Sequence, residues 1–317
     1  MINMENGAAM SNFADRDGYI WFDGELLPWR DAQVHCLTHT LHYGMGVFEG
    51  LRAYATELGP AIFRLEEHTK RLFNSAKILG MEIRHTPEQI NQACIDAVRA
   101  NNLSSAYIRP MSFYGSEGMG LHADSLKTHT IVAAWEWGAY LGAENRERGI
   151  RVQTSSFTRH HVNIAMCRAK ANGNYMNSML AVQEAARAGF DEALLLDVDG
   201  FVCEGSGENF FMVRNDVLYT PTLTSALEGI TRDTIIQLAA EEGIEVQERR
   251  ITRDEVYICD EAFFTGTAAE VTPIRELDGR SIGGGKRGPV TEKLQQRYFD
   301  IVEGRDPSHS YWLKVVD

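Results

Sequence analysis

Lys170 and Glu204 are the residues whose types and settings suggest chemistry. Lys170 stands in R-A-K-A-N-G-N-Y, with Gly173 and Tyr175 just after it. Glu204 follows a short apolar stretch at 201–203 and precedes Gly205, Ser206 and Gly207. A lysine amine condenses with the aldehyde of pyridoxal 5′-phosphate. A carboxylate at the ring nitrogen keeps that nitrogen protonated, so that the ring can take up the electrons of a carbanion. A phenol such as Tyr175 can hydrogen-bond the ring hydroxyl. Spacing alone favours a blander reading, in which the lysine is a solvated cation and the glutamate a turn residue.

The elements that must position this pair can be read locally. Met176, Met179, Leu180, Gln183, Ala186 and Arg187 recur on successive turns, so an amphipathic helix is expected after the lysine. The apolar run 194–196, the tight-turn pair Asp199-Gly200 and the return 201–203 predict a hairpin ending at Glu204. G-I-T-R-D-T (229–234) reads as a helix start with Thr231 as cap, running to about 242 with Gly243 as its stop. Free amides and the positive end of the dipole favour an anion there.

Motifs along the chain change the weighing. They are L-H-Y-G-M-G-V-F-E-G-L-R (41–52), A-Y-I-R-P (106–110), W-G-A-Y-L-G (137–142), K-A-N-G-N-Y (170–175), E-G-S-G-E-N-F-F (204–211), G-I-T-R-D (229–233) and T-G-T-A-A-E-V-T-P (265–273). In that order and separation they resemble the fold-type IV aminotransferases, and most closely the bacterial branched-chain-amino-acid aminotransferases. The likeness covers roughly residues 18 to 315.

The resemblance implies an α+β, two-domain, D-amino-acid aminotransferase-like fold and pyridoxal 5′-phosphate as cofactor. It implies that Lys170 is catalytic and holds the cofactor. Arg71, Ile230, Thr231 and Thr267 would take the phosphate, Tyr175 the ring hydroxyl and Glu204 the ring nitrogen, with Leu227 packed on the ring. Phe48, Tyr43, Tyr107, Leu121, Trp137, Tyr140, Thr267 and Ala268 would surround the substrate. Arg109 would take the distal carboxylate of glutamate and should keep hydrogen bonds when an aliphatic side chain is bound, since a buried cation without partners is costly.

The expected activity is transamination of leucine, isoleucine and valine with 2-oxoglutarate, giving branched 2-oxo acids and glutamate, in ping-pong fashion through Lys170. A D-amino-acid or (R)-amine transaminase and an aminodeoxychorismate lyase share the fold. A-Y-I-R-P together with G-M-G-L (118–121) favours the branched-chain L-type. The resemblance further implies a homodimer with shared sites, Tyr43 and Leu121 of one subunit covering the neighbour's cofactor, or a hexamer made of three such dimers.

Length and composition agree with this reading. At 317 residues two domains are expected. They are an 18–137 small α+β domain, a 138–149 linker and a 150–317 large α+β domain, after a loose tail at 1–17. A net charge of −13 argues against a nucleic-acid surface. No apolar run is long enough for a membrane span, and the start lacks the pattern of a secretory signal. Cysteines 36, 94, 167, 203 and 259 are unclustered, which suits a reduced, cytoplasmic setting and gives no metal-site spacing. Further strands are expected at 18–27 around Asp23-Gly24, and at 47–54, 61–65, 105–114, 129–137, 209–220 and 245–250, with a last pair around Asp278-Gly279. Helices are expected at 66–79, 86–101 and 289–302, with a long loop at 114–128. The glycines at 283–285 match no dinucleotide fingerprint and read as a loop.

Overall fold

The computed structural model describes residues 12–138, 142 and 144–317. The first part of the chain gives β1 (Tyr19–Phe22), β2 (Glu25–Pro28), α1 (His39–Tyr43), β3 (Gly46–Phe48), β4 (Leu51–Thr56), β5 (Gly59–Phe63), α2 (Leu65–Ile78), α3 (Pro87–Ala100), β6 (Ala106–Tyr114) and β7 (Thr128–Trp135). The second gives α4 (Asn145–Arg148), β8 (Ile150–Thr154), α5 (Tyr175–Arg187), β9 (Glu192–Leu196), β10 (Val202–Gly205), β11 (Asn209–Arg214) and β12 (Val217–Thr220). It continues with α6 (Ile230–Glu241), β13 (Val246–Glu248), α7 (Arg253–Tyr257), β14 (Glu261–Gly266), β15 (Glu270–Leu277), β16 (Arg280–Ser281), α8 (Pro289–Val302) and β17 (Leu313–Val315).

Among the described residues these strands form an 8-stranded sheet, order β17-β5-β4-β6-β7-β1-β2 with β3 beside β6, and a 9-stranded sheet, order β10-β9-β8-β15-β14-β11-β12-β13 with β16 beside β15. The first sheet is antiparallel throughout. The second mixes in parallel pairs, β8 with β9 and β15, and β12 with β13. The architecture is therefore mixed α+β.

Local chemistry explains the well-placed elements. Asp23 and Gly24 both adopt positive φ, 48° and 111°, the backbone that a two-residue hairpin turn requires. Helix α3 starts on a capping box, with Gln89 N–H donating to Thr86 Oγ1 and Thr86 N–H to Gln89 Oε1. Helices α2 and α3 bury Leu72, Ala76, Ile90, Cys94 and Val98 against Leu51, Ile108 and Val132 of the first sheet. In the second sheet Phe211 and Phe263 stack with centroids 5.1 Å apart.

Several expectations need correcting. The run 47–54 is two strands, because Glu49 turns into a buried ion pair and Gly50 lies where a Cβ would strike the Tyr107 hydroxyl. The 61–65 strand ends at Phe63, since Leu65 opens α2, and the 129–137 strand stops at Trp135. Met176, Met179 and Leu180 point outward, at 69%, 57% and 42% exposure. Helix α5 instead buries Ser178, Ala181 and Ala185, small residues that let it lie close to β9. Thr231 does not cap α6. The cap position is Gly229, without a side-chain cap hydrogen bond, and the Thr231 hydroxyl acts on the Tyr298 phenol instead. Residues 12–17 are tied down rather than loose. Trp29 Nε1–H donates to the Phe13 carbonyl at 2.6 Å, and Arg30 pairs with Asp15 and Asp17. The segment read as a linker contains α4, whose Arg146 pairs with Glu270 at 2.7 Å. The end of the chain crosses back, with β17 pairing β5 in the first sheet. Thr86→Ala removes the hydroxyl that closes the capping box, so urea denaturation should read a loss of about 1 kcal/mol.

Candidate active site

A cavity of about 440 Å³ is lined by residues of both sheets, within the usual range of roughly 300–1,000 Å³ for small-molecule sites. Lys170 lies on its wall, held by its backbone. Its N–H donates to Ser75 Oγ of α2 at 3.0 Å, and its carbonyl accepts from Phe48 N–H at 3.1 Å. The flanking Ala169 and Ala171 are buried, and only small side chains allow that close backbone approach. The side chain is free to reach inward, where Nζ donates to Tyr175 Oη at 2.8 Å.

Glu204 is 4% exposed. A register shift between Val202 and Glu204 in the β9–β10 pair re-aims it. Arg159 Nε stands 2.7 Å from Oε1, an ion pair without an aligned hydrogen bond. Oε2 accepts from Leu227 N–H at 3.1 Å and Asn209 Nδ2 at 3.4 Å. Burial pushes the Glu204 carboxyl up, and the Arg159 guanidinium opposes that rise.

The opposite end is built for an anion. Gly229 is extended, and a Cβ there would run into the Asn209 amide. Ile230 and Thr231 follow as the first helical residues, whose N–H groups find no acceptor within a helix. Arg64 braces that turn, donating to Asp233 Oδ2 at 2.6 Å and Thr234 Oγ1 at 3.1 Å. Arg71 is forked by Glu49, Nε to Oε1 at 2.6 Å and Nη2 to Oε2 at 2.9 Å. Glu49 is 0% exposed and also accepts from His68 Nδ1–H at 2.7 Å. Burial alone would raise the Glu49 carboxyl, but Arg71 and His68 hold it far below the usual range. Burial likewise lowers His68 despite the neighbouring carboxylate, so the imidazole is a neutral donor. His68, Arg71 and Ser75 share one face of α2 at helical spacing. One helix thus presents both the arginine and the hydroxyl that anchors the lysine backbone.

The remaining wall is aromatic. Tyr107 and Arg109 alternate onto one face of β6. The Tyr107 ring lies 5.2 Å from that of Trp137. Contrary to expectation, Arg109 Nε is buried without a hydrogen-bond partner. Its guanidinium stands over the rings of Phe48 and Tyr107, at 4.7 and 5.4 Å. The rings satisfy the cation in part and leave its donors for a ligand.

The structure brings Phe48, Arg71, Tyr107, Arg109, Trp137, Lys170, Tyr175, Glu204, Leu227, Ile230, Thr231, Thr267 and Ala268 to this cavity. Tyr43 and Leu121 do not line it and are 42% and 88% exposed. Tyr140 lies outside the described residues. Sequence reasoning missed Arg159 and Glu49. The signal for Glu49 is an acid inside the apolar run V-F-E-G, which calls for a buried cation; no local signal marks Arg159. Among the described residues no group of side chains could hold a metal ion.

The donor set fits pyridoxal 5′-phosphate. An amine lies between a buried carboxylate and a helix N-terminus flanked by an arginine. Arg109 Nε and Thr265 Oγ1, buried and unpartnered on the cavity wall, remain for the bound molecules.

The model of the Amino-transferase class IV family matches residues 46–277. The branched-chain-amino-acid aminotransferase of Pseudomonas aeruginosa is 66% identical over 305 residues, covering 96% of this chain and 99% of that protein. Solved relatives superpose closely. The T.th. branched-chain amino acid aminotransferase complexed with N-(5′-phosphopyridoxyl)-L-glutamate gives a TM-score of 0.92 at 48% identity, over 95% of this chain and 99% of the other. The Thermobaculum terrenum enzyme in its PLP-form gives 0.88 at 38%, over 94% and 98%.

Glu49→Gln removes the charge that forks Arg71. Equilibrium dialysis should show pyridoxal 5′-phosphate held roughly tenfold more weakly, the scale of one charge-assisted hydrogen bond. Unchanged affinity in the folded variant would separate Glu49 from the anion site.

Proposed function

The chain belongs to the class IV aminotransferase family, and from that premise we propose that it transaminates branched-chain L-amino acids with 2-oxoglutarate, using pyridoxal 5′-phosphate. One observation carries the reading: a lysine amine, a buried carboxylate and a helix N-terminus surround a single cavity whose aromatic wall contains an unpaired arginine donor. Bound there, the cofactor supplies an aldehyde for amines and a ring that accepts the electrons of the broken Cα–H bond.

The rest of the work falls to this chain's side chains. Lys170 Nζ would take the proton from the substrate Cα and deliver it to the carbon that carried the cofactor's aldehyde, and its clamped backbone keeps the amine within reach. Tyr175 Oη, bonded to Nζ at 2.8 Å, steers that amine. Glu204 holds a proton at the ring nitrogen, and Arg159 keeps the carboxylate oriented for it. Ile230, Thr231, Thr267 and Arg71 hold the phosphate, and Leu227 packs on the ring. Phe48, Tyr107 and Trp137 receive an aliphatic side chain, while Thr267 and Ala268 close the substrate side. Arg109 offers its free donor to the distal carboxylate of glutamate. With the aliphatic substrate it rests on the Phe48 and Tyr107 rings, so one pocket serves both partners.

The assembly that fits this reading is a homodimer with shared sites. Tyr43 and Leu121 belong to one outward patch, since His39 of α1 bonds the Gly120 carbonyl at 2.7 Å. Both are exposed in the single chain, as are Met176, Met179 and Leu180 on α5. An isologous interface would cover such surfaces and lend the same loops both ways. A cytoplasmic setting suits the five cysteines, Cys36, Cys94, Cys167, Cys203 and Cys259, all of them free thiols. No described helix is long and apolar enough to cross a membrane.

The purified protein with cofactor, offered leucine, isoleucine, valine, D-alanine and aminodeoxychorismate, should form 2-oxo acids from the branched L-amino acids. Turnover confined to D-alanine or the chorismate would overturn the substrate reading. Lys170→Ala should abolish turnover in a folded protein, whereas Glu204→Gln should bind cofactor and lose most of its single-turnover rate. For the dimer, mixing Lys170→Ala and Tyr43→Ala chains should raise activity above the sum of the parents, because each mixed dimer has one intact site and one doubly damaged site. No gain after subunit exchange is verified by mass would show that each chain builds its own pocket.

A further inference from the structure

The motif E-G-S-G-E-N contains a second glutamate that the transfer chemistry leaves unused. Glu208 and its neighbour Glu192 are 5% and 0% exposed. The pairing of Gly205 with Leu194 sets Glu192, at the start of β9, across from the loop 205–207 that Glu208 follows. Glu192 Oε1 accepts Ala193 N–H at 2.7 Å. Its Oε2, however, has no hydrogen-bond partner. Glu208 receives Gly207 N–H at 3.0 Å. It also fills the floor of the cavity, since its Oε2 lies 2.7 Å from where a Gly205 Cβ would stand and its Cγ 3.5 Å from a Gly266 Cβ.

Among the described residues neither glutamate makes an ion pair. The charged groups that act on Glu208 are Glu192, Glu204 and, more weakly, Lys170. The repulsion between Glu192 and Glu208 is mutual. Arg159 is engaged with Glu204. Two neighbouring buried carboxylates with no cation paired to either cannot both ionise at moderate cost. Burial raises both groups, and the Glu192 and Glu204 carboxylates repel a charge on Glu208. Glu192 holds the shorter backbone donor, Ala193 N–H at 2.7 Å against Gly207 N–H at 3.0 Å on Glu208, and its open Oε2 is an acceptor for a proton.

We propose that Glu208 is held as a neutral carboxylic acid bonded to Glu192, and that it is a positioning residue for Glu204. It supports the loop 205–207 behind the ring-nitrogen carboxylate without adding a second charge at that end. Its consequence for Glu204 rests on the cofactor reading above, whereas its protonation does not.

The first test uses cofactor-free protein, so it stands apart from that reading. With ¹³C-labelled glutamate, infrared spectra should show the carbonyl stretch of a protonated glutamate at neutral pH. Ordinary glutamates lose this band near pH 4.3. Glu208→Gln, which copies the neutral acid, should remove it. A wild type with no such band at neutral pH, or a band that survives in Glu208→Gln, would overturn the proposal. If Glu208→Gln does not fold, the pH titration of the wild-type band decides alone, and loss together with the surface glutamates counts against it. The second test follows absorbance against pH in the cofactor-loaded protein. Glu208→Gln should titrate as wild type does, with similar kcat. Glu208→Ala, which empties the space under Gly205, should shift the midpoint and lower kcat. If alanine behaves as glutamine does, Glu208 does not position Glu204.

Discussion

A carboxylate with no access to water, Glu49, fixes much of this structure. Its charge is tolerable only because Arg71 forks it with two hydrogen bonds and His68 adds a third. Meeting that demand breaks the strand run at Glu49 and Gly50 and locks α2 against the first sheet. It also points the rest of Arg71 towards the N-terminus of α6, where Nη1 donates to the Glu228 carbonyl at 2.7 Å. Leaving either partner unpaired would cost about 3 to 5 kcal/mol.

The same constraint recurs at Glu204 and Glu270. Glu204 has Arg159 beside it, and Glu270 has Arg52 at 2.9 Å and Arg146 at 2.7 Å. Tyr54 adds its hydroxyl to Glu270 at 3.2 Å and meets Tyr298 at 3.1 Å. Because the Thr231 hydroxyl also acts on the Tyr298 phenol, this cluster connects β4 of the first sheet to the anion-binding turn of the second part. Such pairs contribute little stability beyond an apolar filling of the same volume. Their effect is geometric, since each holds a side chain in one orientation over a cavity that must receive a polar molecule.

Arg109 is not matched in this way. Among the described residues its Nε has no hydrogen-bond partner, and the rings of Phe48 and Tyr107 stand beside its guanidinium. A fully satisfied arginine would have to break a bond to meet a carboxylate. One resting on π faces can meet a carboxylate or stay beside an aliphatic chain at lower cost.

By itself the sequence determined the elements whose causes are local. The Asp23-Gly24 turn, the Thr86/Gln89 capping box and helix 289–302 are set by backbone preferences and nearby hydrogen bonds, and they lie where those signals put them. The order of the motifs also disclosed the family, and with it most of the residues around the cavity. Tertiary structure alone decided which face of α5 is buried, because the close approach of β9 favours Ser178, Ala181 and Ala185 over the larger Met176 and Met179. It decided the cap of α6, where the Asn209 amide leaves room only for Gly229 and Tyr298 occupies the Thr231 hydroxyl. Arg159, Glu49 and the Glu192–Glu208 pair escaped sequence reading for the same reason. Their partners lie far along the chain or across a sheet, and only folding reveals whether a buried charge has been met.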